Sequence, residues 1–280
     1  MASPHYRGYY RTRVPVFALL SLTALTVLYP VLYVAITASR SLNDYLHAPY
    51  GLPRFWTLDN FRTLIANYSL GVATKNTLTV VGSALAISLV LSAMAGFAIA
   101  KVDFPGRRFF QSSMVMVMLV PGQVLIIPIY LMLSRLNLVG HLHGLVYLYA
   151  ATNIPFGVFY MRATFLALPD GLLDAARIDG AGFVRMFRSV ALPNALAGIA
   201  TLAVLQFLGM WNELLYAFLL LPDQSDRLLT PALANIGGHF ISNQPLVAAA
   251  LCITAAPPLI LLAFTSRFLT AGITAGFGSA

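Results

Sequence analysis

The sequence predicts an all-α integral membrane protein with six transmembrane helices. Of the 280 residues, 59% are apolar and only 9% are charged, whereas about a quarter of the residues in a soluble domain are charged. Six mostly apolar stretches are each long enough to cross a ~30 Å hydrocarbon core as a helix. None of them alternates strictly like a barrel strand, so they are predicted to be helices, which satisfy their own backbone hydrogen bonds in lipid.

The first apolar stretch, residues 14–36, follows a basic tail at residues 1–13. Its 23 residues exceed the core of a signal peptide, which has about 7 to 15, so it is predicted to be a retained span. It opens a single transmembrane domain, residues 14–280. The five further spans are predicted at residues 76–100, 109–134, 142–166, 194–221 and 246–268.

The basic residues predict how the chain is oriented. If both termini lie on one side, that side carries eleven of the 17 Lys and Arg residues and the other side carries six. Because cytoplasmic connections are the more basic ones, both termini are predicted to be cytoplasmic. This placement also accounts for the net charge of +8, since the basic residues form no continuous patch for nucleic-acid phosphates. Membrane lipid is therefore an expected partner and nucleic acid is not.

Prolines fall within three of the predicted spans and remove backbone donors there. Such positions suit a water-lined transport pathway, but they are also common in helices without that role. They are Pro121 and Pro128 in the third span, Pro155 in the fourth, and Pro257 and Pro258 in the sixth. In the second span, Gly82 and Ala86 have the spacing that allows close helix packing.

The longest predicted cytoplasmic connection, residues 168–193, is also the richest in charge. It is predicted to form two short amphipathic helices, the first capped by Asp170 and the second by Asp179, with Gly180 and Gly182 at the bend. Its acidic and basic residues nearly balance, whereas a helix lying on lipid favours Lys and Arg on its polar face. A protein partner is therefore the predicted contact.

Within this connection, the sequence DAARIDGA at residues 174–181 is followed by Phe187 and by Leu-Pro at residues 192–193. It resembles the coupling motif of ABC-importer permeases, Glu-Ala-Ala, three residues, Gly, nine residues and Ile-x-Leu-Pro, with Asp174 in place of Glu and Val190 in place of Ile. Other segments resemble the carbohydrate-uptake, maltose-permease-like branch of this binding-protein-dependent transport family. They are TLDNF (57–61), NTL (76–78), FPG (104–106), NIPFGVFYMRATF (153–165), WNE (211–213) and LTAGITAG (269–276).

The resemblance implies a permease subunit of an ATP-driven sugar importer in the cytoplasmic membrane of a bacterium or archaeon. The implied partners are a second homologous permease, two ATPase subunits, an extracytoplasmic solute-binding protein and a sugar-like solute. It places the ATPase contact at Asp174, Ala175, Ala176, Asp179, Gly180 and Ala181. Because the sequence has no Gly-x4-Gly-Lys-Ser/Thr phosphate loop, ATP and Mg²⁺ are expected on the separate ATPase, and this chain is expected to be non-catalytic and to bind no cofactor.

Glu213 is the one acidic residue within a predicted span, between the polar or aromatic neighbours Trp211 and Asn212 on one side and an apolar run on the other. Burying a lone carboxylate in hydrocarbon costs at least ~2.5 kcal/mol, so it should meet water or a polar partner. Two interpretations follow. In the first, the translocation pathway is lined by Trp211, Asn212 and Glu213. In the second, Glu213 makes a structural hydrogen bond to a neighbouring helix or lies near the external interface.

The predicted external connection, residues 37–75, carries Tyr45, Trp56 and Phe61 among polar residues. Aromatic side chains in such a position suit docking of a binding protein, and they also suit anchoring in the lipid interface. The sequence leaves both interpretations open.

Three other functions are alternatives to the importer. An ion-coupled secondary transporter usually shows embedded ionisable groups, for which Glu213 alone is thin support. An ABC permease for a non-sugar solute is disfavoured by the resemblance alone. A membrane-embedded enzyme would need clustered catalytic groups at membrane depth, which the sequence does not show. His141 and His143 have no acidic or Cys companions at ligand spacing, so they are predicted to be interfacial rather than a metal site.

Overall fold

The computed structural model describes residues 4–223, 226–239 and 243–277, and the side chains of residues 15–223, 226–236 and 243–265. All regular structure in these ranges is helical, as the composition predicts. The chain divides into two compact units. One contains residues 1–68 and 233–255, and the other contains residues 69–232 and 256–280.

Fourteen α-helices are numbered in chain order over the described residues. The first seven are α1 (Pro4–Ala38), α2 (Leu42–His47), α3 (Asp59–Asn67), α4 (Leu70–Lys101), α5 (Arg107–Leu119), α6 (Ile126–Arg135) and α7 (Leu142–Leu166). The others are α8 (Asp170–Ile178), α9 (Phe183–Met186), α10 (Leu192–Asn194), α11 (Leu196–Trp211), α12 (Leu215–Leu220), α13 (Leu229–His239) and α14 (Gln244–Phe277). A 3₁₀ turn (Gly122–Leu125) precedes α6, and a π-helical turn (Phe187–Ala191) follows α9.

Three of the described helices are long and apolar enough to cross a membrane: Pro15–Ala38, Leu70–Lys101 and Gln244–Thr265. Two bent helix pairs raise the number to five if each pair is one span. Helix α7 coincides with the predicted fourth span, residues 142–166, but it is less apolar and is not among these candidates. The membrane class is thus supported, while six spans and cytoplasmic termini stay predictions.

The predicted third span, residues 109–134, is not one continuous helix. Helix α5 ends at Leu119, and residues 107–119 and 122–135 meet at 88°. Pro121 has extended backbone angles at the start of the 3₁₀ turn, because a proline cannot donate the hydrogen bond that would continue the helix. Pro155 behaves differently, since it lies inside the uninterrupted helix α7.

The predicted fifth span, residues 194–221, is also interrupted. Helix α11 ends at Trp211, and α12 begins only at Leu215. Before α11, residues 183–194 and 196–211 meet at 74°. The non-helical residues between α11 and α12 include Glu213, so this break is part of the site described below.

In the unit formed by residues 69–232 and 256–280, α4 packs along α7. Close approach occurs at Gly96, where an added Cβ would lie 2.7 Å from Met161 Cβ and 2.9 Å from the Arg162 amide nitrogen. At Gly157, an added Cβ would lie 2.8 Å from Gln206 Nε2 of α11. Nothing in the described part of the chain lies within 4 Å of a Cβ built at Gly82, so the close helix packing that its spacing allows does not occur between the described helices.

Gly96→Ala is expected to destabilise this unit by about 1–3 kcal/mol, the usual cost of overpacking a tight core. The new methyl group would meet the backbone of α7 around Met161, so relief requires moving one helix away from the other. The thermal unfolding midpoint of the purified chain in detergent measures the effect. Gly82→Ala is the matched control in the same helix, and equal midpoints for the two variants would contradict the packing.

In the unit formed by residues 1–68 and 233–255, Arg40 organises the connection that follows α1. Its side chain is 1% exposed. The guanidinium donates five hydrogen bonds, to the Asp44 carboxylate (3.0 Å) and to the carbonyls of Asp44, Ala48 (2.8 Å), Pro49 and Gly51. This part of the predicted external connection is therefore folded, while Trp56 is 66% exposed beyond it. Whether Trp56 contacts a binding protein or the lipid interface stays a prediction.

Candidate functional site

The predicted coupling segment folds as a helix, a tight turn and a second short helix. Helix α8 turns Leu173 and Ala176 inward, where they are 3% and 9% exposed, because residues three apart share one face of a helix. The opposite side presents Asp174, Arg177 and Ile178, the last of which is 87% exposed. An exposed isoleucine beside an Asp174–Arg177 ion pair of 2.8 Å gives this surface both apolar and charged contacts.

Gly180 forms the turn between the two short helices. Its φ is +76°, in the left-handed region that glycine enters without steric cost. The Ala181 N–H donates to the Ala176 carbonyl (2.9 Å) and the Gly180 N–H donates to the Arg177 carbonyl (3.0 Å). These two bonds are those of a Schellman motif, which closes a helix C-terminus. The predicted bend at Gly180 is therefore confirmed.

Both predicted helix caps in this segment are wrong. Pro169 occupies the N-cap position of α8, and no side chain caps that helix. Gly182 occupies the N-cap position of α9, while Asp179 lies at the C-terminal end of α8. Asp170 is the first residue of α8, and its carboxylate bonds instead to a residue far away in sequence.

That distant residue is Lys101, the last residue of α4. Its ammonium donates to Asp170 Oδ1 (2.6 Å) and to the Leu168 carbonyl (3.1 Å), and the lysine side chain is only 8% exposed. The hydrogen bond from Lys101, together with its positive charge, lowers the pKa of the Asp170 carboxyl group. Sequence reasoning counted Lys101 only as a topology signal, because nothing local connects residues so far apart.

Asp170→Asn is expected to loosen the start of α8, because Lys101 then loses its anionic partner. Amide hydrogen exchange at residues 173–176, whose N–H groups bond to carbonyls at the start of α8, should become faster than in the wild type. Asp59→Asn, which removes an exposed ion pair with Arg62 elsewhere, should leave this exchange unchanged. Equal exchange in the wild type and Asp170→Asn would contradict the role of the ion pair.

The lowered pKa of Asp170 also predicts how this contribution depends on pH. A depressed carboxyl pKa contributes stability that is fully present above the unfolded pKa and is lost as the pH falls through the folded pKa. Because an unperturbed aspartate titrates at about 3.9, protection of residues 173–176, corrected for intrinsic exchange rates, should be the same at about pH 6 and pH 8. A loss of protection between those values would contradict the assignment.

An aromatic cluster joins the segment to the core. The Phe97 ring of α4 lies 5.3 Å from that of Phe165 in α7 and 5.2 Å from those of Phe183 and Phe187, measured between ring centroids. Phe97 and Phe165 are almost completely buried. The short helices of the segment are therefore packed onto the ends of α4 and α7, so a force on the segment reaches both helices.

The structure separates the six predicted coupling residues into two groups. Asp174, Ala175, Asp179 and Gly180 are exposed, and Ala181 is half-buried. Ala176 packs inward beside Leu173, so its side chain belongs to the core rather than to the exposed surface. The surface residues Ile178 and Arg177 were not among the predicted contacts, although their helical spacing places them beside Asp174.

Glu213 lies at the break between α11 and α12. Its carboxylate accepts hydrogen bonds from the Tyr149 hydroxyl (2.9 Å) and from the N–H groups of Tyr216 (2.9 Å) and Ala217 (3.1 Å). Hydrogen bonds to an ionised group are stronger than those between neutral groups. The predicted need for a polar partner is met by α7 and by the first turn of α12.

Trp211 and Asn212 are placed differently from Glu213. Trp211 is 1% exposed and stacks on Phe207 at 5.3 Å between ring centroids. Asn212 is exposed, and its amide donates to the Leu208 carbonyl (2.8 Å). The geometry favours the structural interpretation of Glu213, and a pathway role for the three residues stays a prediction.

The two neighbouring histidines stack on each other. The rings of His141 and His143 are 5.1 Å apart and nearly parallel. Within the residues that the structure describes, no three His, Cys, Asp or Glu side chains come together as metal ligands.

The apolar helices and the charged segment between them define a helical membrane protein. Comparison with known proteins identifies its family. Residues 88–271 match the family described as binding-protein-dependent transport system inner membrane component, and the chain belongs to this family. It is therefore a membrane permease subunit of a binding-protein-dependent transport system, and the resemblance seen in the coupling motif is confirmed.

Two relatives with named transport systems align over most of the chain. The diacetylchitobiose uptake system permease protein NgcG of Streptomyces coelicolor is 32% identical over 261 residues, which are 92% of this chain and 86% of that protein. The arabinooligosaccharides transport system permease protein AraQ of Halalkalibacterium halodurans is 29% identical over 257 residues, 90% of this chain and 91% of that protein. Both names describe permease proteins of transport systems.

A solved structure shares the fold. It is the crystal structure of a bacterial ABC transporter involved in the import of the acidic polysaccharide alginate. Its matching chain superposes with a TM-score of 0.76 at 20% sequence identity, over 95% of this chain and 98% of that chain.

Proposed function

We propose that this chain forms half of the translocation pathway of an ATP-driven importer and couples to an ATPase subunit through α8 and the Gly180 turn. The observation that carries the proposal is the exposed surface of α8. It combines the Asp174–Arg177 ion pair with Ile178, which is 87% exposed, and its inner side is fixed to the ends of α4 and α7. Such a surface suits docking in a protein groove.

The proposed solute is a sugar or a related polyol compound. The support is the relatives' printed names, since diacetylchitobiose and arabinooligosaccharides are both sugars. An ABC permease for a non-sugar solute is the alternative, because solute choice also depends on the binding protein and on the second permease.

The proposed assembly contains this chain, a second homologous permease, two ATPase subunits and an extracytoplasmic solute-binding protein. This chain is proposed to cross the cytoplasmic membrane of a bacterium or archaeon six times with both termini inside. ATP and Mg²⁺ bind to the ATPase subunits, whose closure rocks the permease pair between inward-facing and outward-facing states.

Affinity purification of the chain from mild-detergent extracts of its native membrane tests this assembly. Quantitative mass spectrometry is expected to recover an ATPase in stoichiometric amount and a second permease. The same experiment with Gly180→Val is expected to retain the second permease and to lose most of the ATPase. Recovery of the wild-type chain alone, also after crosslinking, would contradict the proposal and favour an ion-coupled secondary transporter.

A further inference from the structure

A basic cavity lies where α4 ends, α5 begins and α7 approaches its end. Its volume is about 570 Å³, and its polar lining includes Asp103, Arg107, Arg108, Gln111 and Arg162. This volume is within the range of about 300–1,000 Å³ found for small-molecule sites. It is far larger than the ~30 Å³ share of one water molecule.

The arginines of this cavity are not equivalent. Arg107 bonds to the Asp103 carboxylate and to the Ala100 carbonyl, so its charge is already compensated. Among the described residues, no carboxylate lies within 4 Å of Arg108 or Arg162. The Arg162 Nε atom is buried and has no hydrogen-bond partner.

An unpaired guanidinium that is partly withdrawn from water is costly, and an anion in the cavity removes that cost. The planar guanidinium group of arginine matches the oxygens of a phosphate group better than the ammonium group of lysine does. Gln111 adds an amide donor to the same lining. The chemistry of the cavity therefore favours a phosphate over a neutral ligand.

Arg162 counts among the basic residues of the predicted cytoplasmic side, but topology does not explain why it is half-buried. The arginines at residues 107 and 108 stand at the start of α5, where basic residues orient a membrane protein. Arg162, in contrast, lies inside α7, four residues before that helix ends at Leu166. A charge within an apolar helix is expected to have a functional partner.

We propose that this cavity binds the phosphate group of an anionic ligand through Arg108 and Arg162. The ends of α4 and α7 and the start of α5 lie on the predicted cytoplasmic side. The two sources of such a group there are a phospholipid headgroup of the inner leaflet, which basic pockets between membrane helices recognise, and soluble phosphate. The proposal does not depend on coupling to an ATPase.

Native mass spectrometry of the full-length chain, purified with any subunits that accompany it, tests the lipid source. Phosphatidylglycerol is titrated against phosphatidylcholine, and the wild type is expected to retain phosphatidylglycerol preferentially. Arg108→Gln and Arg162→Gln should each weaken its binding by about fivefold, and the double variant by about 25-fold. Arg162→Lys should weaken it less than Arg162→Gln, and Arg135→Gln at the exposed end of α6 should have no effect.

Isothermal titration calorimetry of lipid-depleted protein with inorganic phosphate tests whether soluble phosphate is the ligand. Phosphate binding that disappears in the double variant, without a preference for phosphatidylglycerol, would support the cavity and assign it to soluble phosphate. Arg108→Gln is informative even if Arg162→Gln folds poorly, because Arg108 is exposed. Unchanged binding of both phosphatidylglycerol and phosphate in Arg108→Gln and in a folded Arg162→Gln would overturn the proposal.

Discussion

Gly180→Val is expected to lower solute uptake by more than about tenfold while the chain remains in the membrane. The φ of Gly180 is +76°, and a left-handed conformation costs an ordinary L-residue about 1–2 kcal/mol, with β-branched residues particularly unfavourable. Among the described residues, nothing lies within 4 Å of a Cβ at this position. The expected loss therefore comes from backbone strain in the Schellman turn and from the larger side chain at the proposed ATPase contact.

Two variants separate these causes. Gly180→Asn is expected to keep more activity than Gly180→Val, because asparagine enters the left-handed region more readily. Gly171→Ala places a methyl group in open space on the preceding helix α8, at a position without a positive φ, and it should leave uptake unchanged. Uptake is measured with the complete transport system and normalised to the amount of chain in the membrane. Normal uptake by Gly180→Val at normal abundance would contradict the coupling assignment.

Glu213→Gln is expected to destabilise the chain by about 1.5–3 kcal/mol, the range for hydrogen bonds to charged groups. The amide that replaces the carboxylate has one acceptor oxygen, whereas the two carboxylate oxygens serve the Tyr149 hydroxyl and two backbone N–H groups. A double-mutant cycle with Tyr149→Phe measures the interaction free energy between the Tyr149 and Glu213 side chains. If the Tyr149–Glu213 bond is structural, the two losses in unfolding free energy should be strongly non-additive.

The same variant tests the pathway interpretation through a different measurement. If Glu213 acts in the pathway, solute-stimulated ATPase activity of the assembled complex should change when it is normalised to folded complex. Thr201→Ala provides the control in α11, because the Thr201 hydroxyl donates to the Ala197 carbonyl of its own helix and Thr201 is not one of the three predicted pathway residues. Unchanged stimulation in a stable Glu213→Gln complex would remove the pathway role and leave the structural one.

Local patterns predicted much of this molecule. The run at residues 142–166 coincides with α7, because its apolar composition and its length are properties of that segment alone and do not depend on distant contacts. The turn at Gly180 was also predictable, since a left-handed residue at a helix C-terminus is most often glycine. The helical caps of the coupling segment were not, because Asp170 has a stronger partner in Lys101 than in its own helix.

Contacts between distant segments explain most of the remaining differences. Gly82 and Gly96 have the same intrinsic properties and lie in one helix, and only the position of α7 makes Gly96 the tight one. The 88° bend after α5 likewise depends on more than Pro121, because Pro155 interrupts nothing in α7. Whether a proline bends a helix depends on which neighbouring groups satisfy the carbonyl that it leaves free.

The buried Arg40 has a consequence for how the chain is inserted during synthesis. Helix α1 has arginines before its apolar part, and Arg40 stands two residues beyond the end of the helix. Once the guanidinium has closed its five hydrogen bonds, sliding α1 by one turn would pull a charge and a folded loop into hydrocarbon. During biogenesis, the position of α1 in the membrane should therefore be reversible while the loop is unfolded. After the loop has folded around Arg40, the depth and the orientation of α1 should be fixed.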